Sequence, residues 1–167
     1  MIRAFAPLAL LLSLTVLSGC KKEEPPPPPP PELVAPSNGD DTAWKTYLGK
    51  VVGQNMAGVT DRNFSYYLPA NSQVLNEGDQ DGRSQFDRQL ENVTTVVLRT
   101  VLPGNMLSFG SPDSEKMADL IVMSFAEAEP DALAGSQVLF IGRPEDSERV
   151  RVAVEAAGAK YLFIEAK

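Results

Sequence analysis

The sequence predicts an α/β fold, a small sandwich of about four mostly parallel strands with flanking helices. Residues 106–116 and 138–149 follow one plan, 32 positions apart. Each stretch has an apolar run, then Gly, Pro and a group of Asp, Ser and Glu, and ends with a basic residue. This pattern is typical of a strand, a tight turn and a helix start. Strands joined by helices run parallel, with right-handed crossovers. A duplicated unit and the ordinary needs of such turns explain the plan equally well.

The first predicted elements are a helix and a short strand. A helix from Asp41 to about Met56 is indicated by an Asp40/Asp41 cap and by helical spacing of Trp44, Leu48, Val51, Val52 and Asn55. Residues 64–68 then predict a strand that ends at Pro69. This strand contains the aromatic residues Phe64, Tyr66 and Tyr67. They could lie in the core or form an exposed contact surface, and we expect them in the core.

The next segment allows two interpretations. Residues 84–102 predict a helix that ends before Pro103, because one apolar stripe is formed by Phe86, Leu90, Val93, Val97 and Val101. Residues 93–97 are all β-branched, so a strand over 93–101 is the alternative. The length and the stripe favour the helix.

The last third of the chain alternates strands with helices. After each of the two similar turns comes a helix with one apolar stripe, formed by Met117, Leu120, Ile121 and Phe125 in the first and by Val150, Ala153, Val154 and Ala157 in the second. Gly158 follows at the position of a helix C-cap, and residues 160–165 supply a final apolar strand. The order from residue 106 is therefore strand, helix, strand, helix, strand.

Composition excludes several kinds of chemistry. The 167 residues include no His and one Cys, so a Ser-His-Asp triad, a Cys-His dyad, an internal disulfide and an ordinary zinc site are ruled out. The 22 acidic residues outnumber the 15 basic ones, which argues against nucleic acid as a partner. We expect no cofactor and no metal. Acid–base catalysis by two carboxylates needs no His and stays open.

The N-terminus has the features of a secretory signal that ends at a cysteine. Arg3 precedes an apolar run over residues 8–17, which is too short to cross about 30 Å of hydrocarbon. Leu17, Ser18, Gly19 and Cys20 follow, and this segment resembles the lipobox of bacterial lipoproteins. The alternative is an ordinary secretory signal with a chance Cys.

The resemblance implies a lipid anchor at Cys20. Residues 1–19 would be a signal peptide removed by cleavage before Cys20, whose sulfur would carry a diacylglycerol and whose new amine a fatty acyl group. Several acyl chains hold a protein firmly at a bilayer, whereas one holds it weakly. In this family Asp after the lipidated Cys favours the inner membrane; Lys21 and Lys22 stand here. The implied location is the periplasmic face of the outer membrane, with the inner membrane as the alternative.

A proline-rich spacer is predicted between the anchor and the domain. Residues 20–40 contain seven consecutive prolines at 25–31, which favour polyproline II and a rod of roughly 22 Å at about 3.1 Å per residue. A docking peptide for an aromatic groove is the alternative, but a run without interspersed specificity residues favours a spacer. Residues 41–167 then form the predicted α/β domain, which is large enough to bury a stable core.

The carboxyl ends of the predicted strands are where a ligand or partner would bind in an open parallel sheet. The turns at these ends supply six candidate contact residues: Ser111, Asp113, Ser114, Arg143, Asp146 and Ser147. Capping of the following helices explains these side chains without a ligand. No dinucleotide or P-loop fingerprint is present. Residues 77–82 resemble the start of an EF-hand loop, but Arg88 stands where the bidentate Glu belongs, so we expect an ordinary polar turn.

These observations favour one function and leave two alternatives. We expect a lipid-anchored periplasmic domain, non-catalytic, that contacts another envelope component such as a secretion, pilus or wall-associated assembly. The first alternative is an immunity or inhibitor lipoprotein whose acidic surface opposes a basic toxic enzyme. The second is a carboxylate enzyme or a small-ligand binder at the strand ends.

Overall fold

The structure is a computed structural model that describes residues 32–74, 80–99 and 101–167. The predicted signal peptide, the lipobox, the proline run and the first half of the EF-hand-like segment lie outside these residues. Helices and strands alternate along the described chain as α1 Asp41–Gln54, β1 Asn63–Tyr67, α2 Gln85–Leu98, β2 Met106–Gly110, α3 Ser114–Phe125, β3 Gln137–Gly142, α4 Pro144–Ala156 and β4 Lys160–Glu165. None of the described helices combines the length and apolarity needed to cross a membrane.

The four strands form one parallel sheet in the order β1-β2-β3-β4. Each strand pairs with the next one along the chain, for example Phe109 of β2 beside Phe140 of β3. Helices α2, α3 and α4 connect successive strands and pack against one another in order. The predicted α/β fold with four parallel strands and flanking helices is confirmed.

Two apolar clusters lie on opposite faces of the sheet. The larger one joins α2, α3 and α4 to alternate strand residues, including Leu107, Phe109, Val138 and Phe140. The smaller one joins α1 to the intervening residues Met106, Leu139 and Ile141. Side chains of a strand alternate between its two faces, so nearly every residue of β2 and β3 is apolar and buried. The described part of the chain therefore forms three layers, in which α1 is the one described helix on its face of the sheet.

The ambiguous segment after Ser84 is helical. Ser84 caps α2, since its Oγ accepts the Asp87 amide proton at 3.1 Å, and the Asp87 carboxylate accepts the Ser84 amide proton at 3.0 Å. The Ser84 hydroxyl also donates to the Asp87 carboxylate at 2.7 Å, and this bond, together with the one from the Ser84 amide, lowers the pKa of Asp87. Val93 and Val97 are fully buried, so the β-branched run packs as a helix stripe. The helix ends at Leu98, earlier than the predicted residue 102.

The two similar turns start their helices differently. Asp113 caps α3, as predicted, by accepting the Lys116 amide proton at 3.1 Å. The prediction of a side-chain cap on α4 is wrong, because Arg143 occupies that position and makes no such bond. Pro144 takes the first position of α4, where its missing N–H costs nothing. At the end of α4, Gly158 has φ of 82°, the left-handed conformation expected after a helix.

The chain approaches α1 along the β4 side of the domain. The Ala35 amide donates to the Lys167 carbonyl at 2.7 Å, and Trp44 Nε1 of α1 donates to the Pro36 carbonyl at 3.0 Å. Leu33 and Ala35 pack against the smaller apolar cluster. Residues 32–40, which the sequence placed in the spacer, therefore contact the domain in the structure.

The aromatic residues of β1 separate between core and surface. Tyr66 is buried and stacks on Phe109 with 5.0 Å between ring centroids. Tyr67 is half-buried, and its hydroxyl donates to Asp41 at 2.9 Å. Phe64 is 39% exposed. The expectation of a core position is thus confirmed for Tyr66 and wrong for Phe64.

All four tyrosines predict a loss of stability at alkaline pH. Burial raises the pKa of Tyr47, Tyr66, Tyr67 and Tyr161 above the ordinary value of 10.0, and for Tyr67 the hydrogen bond to Asp41 raises it further. When the folded-state pKa lies above the unfolded value, the protonated tyrosine contributes to stability. This contribution is complete below pH 10 and is lost as pH rises through the folded-state pKa. We expect the free energy of unfolding, measured by urea denaturation, to fall above about pH 10.

The Tyr67→Phe variant is the control for this pH dependence. It lacks one of the four phenols, so its stability should decline less steeply between pH 10 and 11 than that of the wild type. A free energy of unfolding that rises over this interval, in either protein, would contradict the assignment.

Candidate functional site

The carboxyl ends of β2 and β3 bring three of the six candidate residues together. Ser114 is the first residue of α3, Arg143 precedes α4, and Asp146 lies in the first turn of α4. Ser114 Oγ donates to Asp146 Oδ2 at 2.6 Å and accepts the Arg143 amide proton at 2.8 Å. The Ser114 hydroxyl is therefore satisfied on both sides and joins the two similar turns.

Arg149, one turn further along α4, completes the cluster. Its guanidinium donates to Asp146 Oδ1 at 2.9 Å, to Asp119 Oδ1 at 2.6 Å and to the Glu115 carbonyl at 2.9 Å. Burial alone would lower the pKa of Arg149, but the bonds to Asp119 and Asp146 outweigh it and raise that pKa. Arg149 thus stays charged and ties α4 to α3. We call Ser114, Asp119, Arg143, Asp146 and Arg149 the carboxyl-edge cluster.

The other three candidates lie apart from this cluster. Ser111 Oγ accepts the Asp113 amide proton at 2.9 Å, and Asp113 caps α3, so both shape the turn after β2. Ser147 points the other way, with its Oγ 3.0 Å from the Tyr161 hydroxyl of β4. Sequence reasoning missed Asp119 and Arg149, although their i, i+3 spacing from Lys116 and Asp146 on predicted helices is a usable signal.

Gly142 allows the close approach of the two turns. A Cβ on Gly142 would lie 2.6 Å from Ser114 Oγ and would also meet the Phe140 ring. Both neighbours are buried, so neither can move away freely. The glycine is therefore required by the packing between β3 and the start of α3.

The Gly142→Ala variant should consequently be less stable, by about 1–3 kcal/mol, as expected for an overpacked core site. Gly49→Ala is the matched control, because Gly49 lies in the exposed part of α1 with no atom within 4 Å of an added Cβ. That change should raise the free energy of unfolding by about 0.5–1 kcal/mol. Urea denaturation of both variants checks the prediction, and equal effects would contradict it.

A cleft of about 290 Å³ lies beside the carboxyl-edge cluster. Ser111, Ser114 and Arg143 line one side, and the other side is formed by Trp44, Lys167 and residues of the approaching chain such as Pro36. Lys167 is held by the Glu32 carboxylate at 3.0 Å. No pattern in the sequence points to Trp44 or Lys167 here, because their proximity depends on how residues 32–36 pack against the end of β4.

The acids at this edge are largely engaged by cations or amide groups. Asp113 caps α3, Asp119 and Asp146 bind Arg149, and Glu145 lies 3.2 Å from Arg143. In the part of the chain that the structure describes, no three His, Cys, Asp or Glu residues are grouped to hold a metal ion. The arrangement orients helix starts and leaves Arg143 half exposed at the mouth of the cleft.

Comparison with known proteins adds no relative. No family model matches the chain, and neither a curated protein nor a solved structure matches it.

Proposed function

We propose that this protein is a lipid-anchored bacterial lipoprotein on the periplasmic face of the outer membrane, whose α/β domain is a non-catalytic interaction module for an envelope assembly. The anchor is the thioether at Cys20, and the proline run is the spacer. The assembly belongs to the secretion, pilus or wall-associated class.

The observation that carries this proposal is how the chain approaches the domain. Residues 33–36 are held against α1 and the end of β4 by Ala35–Lys167 and Trp44–Pro36 hydrogen bonds. A tether attached in this way arrives on the β4 side of the sheet and leaves the β1 side for a partner. Folding therefore sets the point at which the tether joins the domain.

The chemistry of the carboxyl edge supports a non-catalytic role. A general acid or base needs a side chain that can exchange a proton with a substrate. Asp146, the most buried acid of this edge, has a 7% exposed side chain and binds Ser114 and Arg149. These bonds are those of a structural brace between α3 and α4.

Crosslinking in intact cells tests the proposal. Formaldehyde treatment followed by affinity purification and mass spectrometry should recover one envelope protein repeatedly with the wild-type chain. A Cys20→Ser variant, produced at the same level, should recover less of it because the domain is no longer held at the membrane. Repeated recovery of no envelope protein would overturn the proposed function.

A further inference from the structure

The two edges of the sheet differ in how they are covered. Beyond the end of β4, the chain itself supplies a neighbour, because Ala35 pairs with Lys167. Strand β1 forms the opposite edge and pairs only with β2 among the described residues. The sheet can therefore be extended at β1.

The hydrogen bonds of β1 define which backbone groups face outward. The Met106 amide of β2 donates to the Arg62 carbonyl at 2.8 Å. In a parallel ladder the residues that bond to a given neighbour alternate along the strand, so Phe64 and Tyr66 also face β2. The N–H and C=O groups of Asn63, Ser65 and Tyr67 consequently point away from the sheet.

Strand β1 lacks the features that protect open edges. Natural proteins place charged residues, especially Lys, or Pro on an exposed edge strand to prevent pairing. β1 has the sequence Asn-Phe-Ser-Tyr-Tyr, without a charge or a proline, whereas β4, the other outer strand, begins with Lys160 and ends with Glu165. Within residues 32–74, 80–99 and 101–167, the β1 edge is thus open to an additional strand.

The two faces beside β1 have opposite character. On the α2 side, Phe64 and the 62% exposed Leu102 border a cleft of about 290 Å³. Its other lining residues are the apolar Val96 and Val101 and the polar Asp61, Arg62 and Asn105. On the α1 side, Ser65 Oγ lies 2.9 Å from Ser108 Oγ and accepts a hydrogen bond from Asn63 Nδ2 at 2.8 Å. An added strand must therefore alternate apolar side chains with small polar ones.

Net charge distinguishes between two possible occupants of the β1 edge, a strand of another protein and a second copy of this chain. The protein carries a formal net charge of −7 at pH 7. Two copies repel each other, whereas a basic partner is attracted and is steered toward the domain. Asp61 and Arg62 beside the edge lie 3.7 Å apart and offset each other, so the net charge of the chain decides, and it favours a basic segment of another protein.

We propose that the β1 edge is a β-augmentation site, which binds an extended segment of a basic envelope protein, with alternating apolar and small polar side chains, as a fifth strand. Main-chain hydrogen bonds to Asn63, Ser65 and Tyr67 supply the affinity, and the cleft beside Phe64 selects the apolar side chains. This inference rests on the proposed function and names the surface and the kind of partner that the function requires.

The test uses the full-length protein and the peptide Lys-Val-Thr-Val-Thr-Val-Lys as a probe. Titration followed by NMR should show saturable binding and slower amide exchange at Asn63, Ser65 and Tyr67. Ser65→Pro removes an outward N–H and should weaken binding at least tenfold. The ladder to β2 should be kept, because an edge strand tolerates proline where its nitrogen faces outward. Ser65→Ala, the matched control, loses the same hydroxyl but keeps the N–H, and should bind within twofold of the wild type.

A second variant covers the case in which Ser65→Pro does not fold. Leu102 lies outside the strands, and Leu102→Lys adds a positive charge at the cleft. The variant should therefore bind the basic probe more weakly, while its thermal unfolding should be unchanged. Absence of binding, or equal binding by both Ser65 variants when both fold, would overturn the assignment. A doubled mass in light scattering that Ser65→Pro abolishes would assign the edge to a second copy and overturn it as well.

Peptide binding to the purified protein does not depend on the anchor or on a cellular partner. Its failure therefore overturns the β1 assignment alone, whereas failure of crosslinking in cells overturns the proposed function.

Discussion

Replacing Phe109 by alanine is expected to lower the free energy of unfolding by about 3–5 kcal/mol, the usual cost of emptying a core phenylalanine site. Phe109 has no exposed surface, lies on β2 in the middle of the larger apolar cluster and stacks on Tyr66. The cluster that contains it is built from α2, α3, α4 and the sheet, so we expect no single element to move in and fill the space. Urea denaturation of the wild type and the variant measures the difference.

Phe64→Ala is the control for this change. Phe64 is also a phenylalanine and lies on the neighbouring strand β1, but it is 39% exposed at the sheet edge. The same truncation should therefore cost less than half as much. A Phe109→Ala variant that is as stable as Phe64→Ala would contradict the packing described for β2.

Replacing Asp146 by alanine should lower the free energy of unfolding by about 2–4 kcal/mol. The change leaves the Ser114 hydroxyl without its acceptor and removes one of the two carboxylates that bind Arg149. Breaking a buried charged pair costs about 3–5 kcal/mol, and the partial exposure of Arg149 reduces this figure. Thermal and urea unfolding of the variant give the value.

Two further variants make the test of Asp146 specific. Glu145→Ala removes the neighbouring exposed acid, whose ion pair with Arg143 lies at the surface, and should cost less than about 1 kcal/mol. In the double variant with Ser114→Ala, the loss should be smaller than the sum of the two single losses, because the residues share a hydrogen bond. Additive losses would show that the Ser114–Asp146 contact contributes nothing.

The order and type of elements could be predicted because their signals are local. The Gly-Pro-acid turns, the apolar stripes and the final strand Lys160–Glu165 depend on residues that are neighbours in the chain. The β-branched run at 93–97 was ambiguous locally, and it became helical because Val93 and Val97 pack into the larger cluster. Tertiary packing here overrides an unfavourable helix propensity.

The candidate site was predicted only in part, because its contacts depend on helix rotation and on distant parts of the chain. Asp113 and Asp146 occupy similar positions in the two turns, but the extra acid after Pro144 rotates Asp146 toward Ser114, about 100° per residue around the helix. Asp113 therefore caps its own helix, while Asp146 bridges to the other one. Ser147, one residue further on, is turned toward Tyr161 for the same reason.

The central claim is that a lipid at Cys20 holds the domain at a membrane, and the mass of the mature protein tests it most directly. Intact mass spectrometry of protein purified from the membrane fraction should give a chain that begins at Cys20 and carries a diacylglycerol and an acyl group. The Cys20→Ser variant should remain uncleaved or leave the membrane fraction. A freely soluble wild-type chain with an unmodified Cys20 thiol would contradict the account.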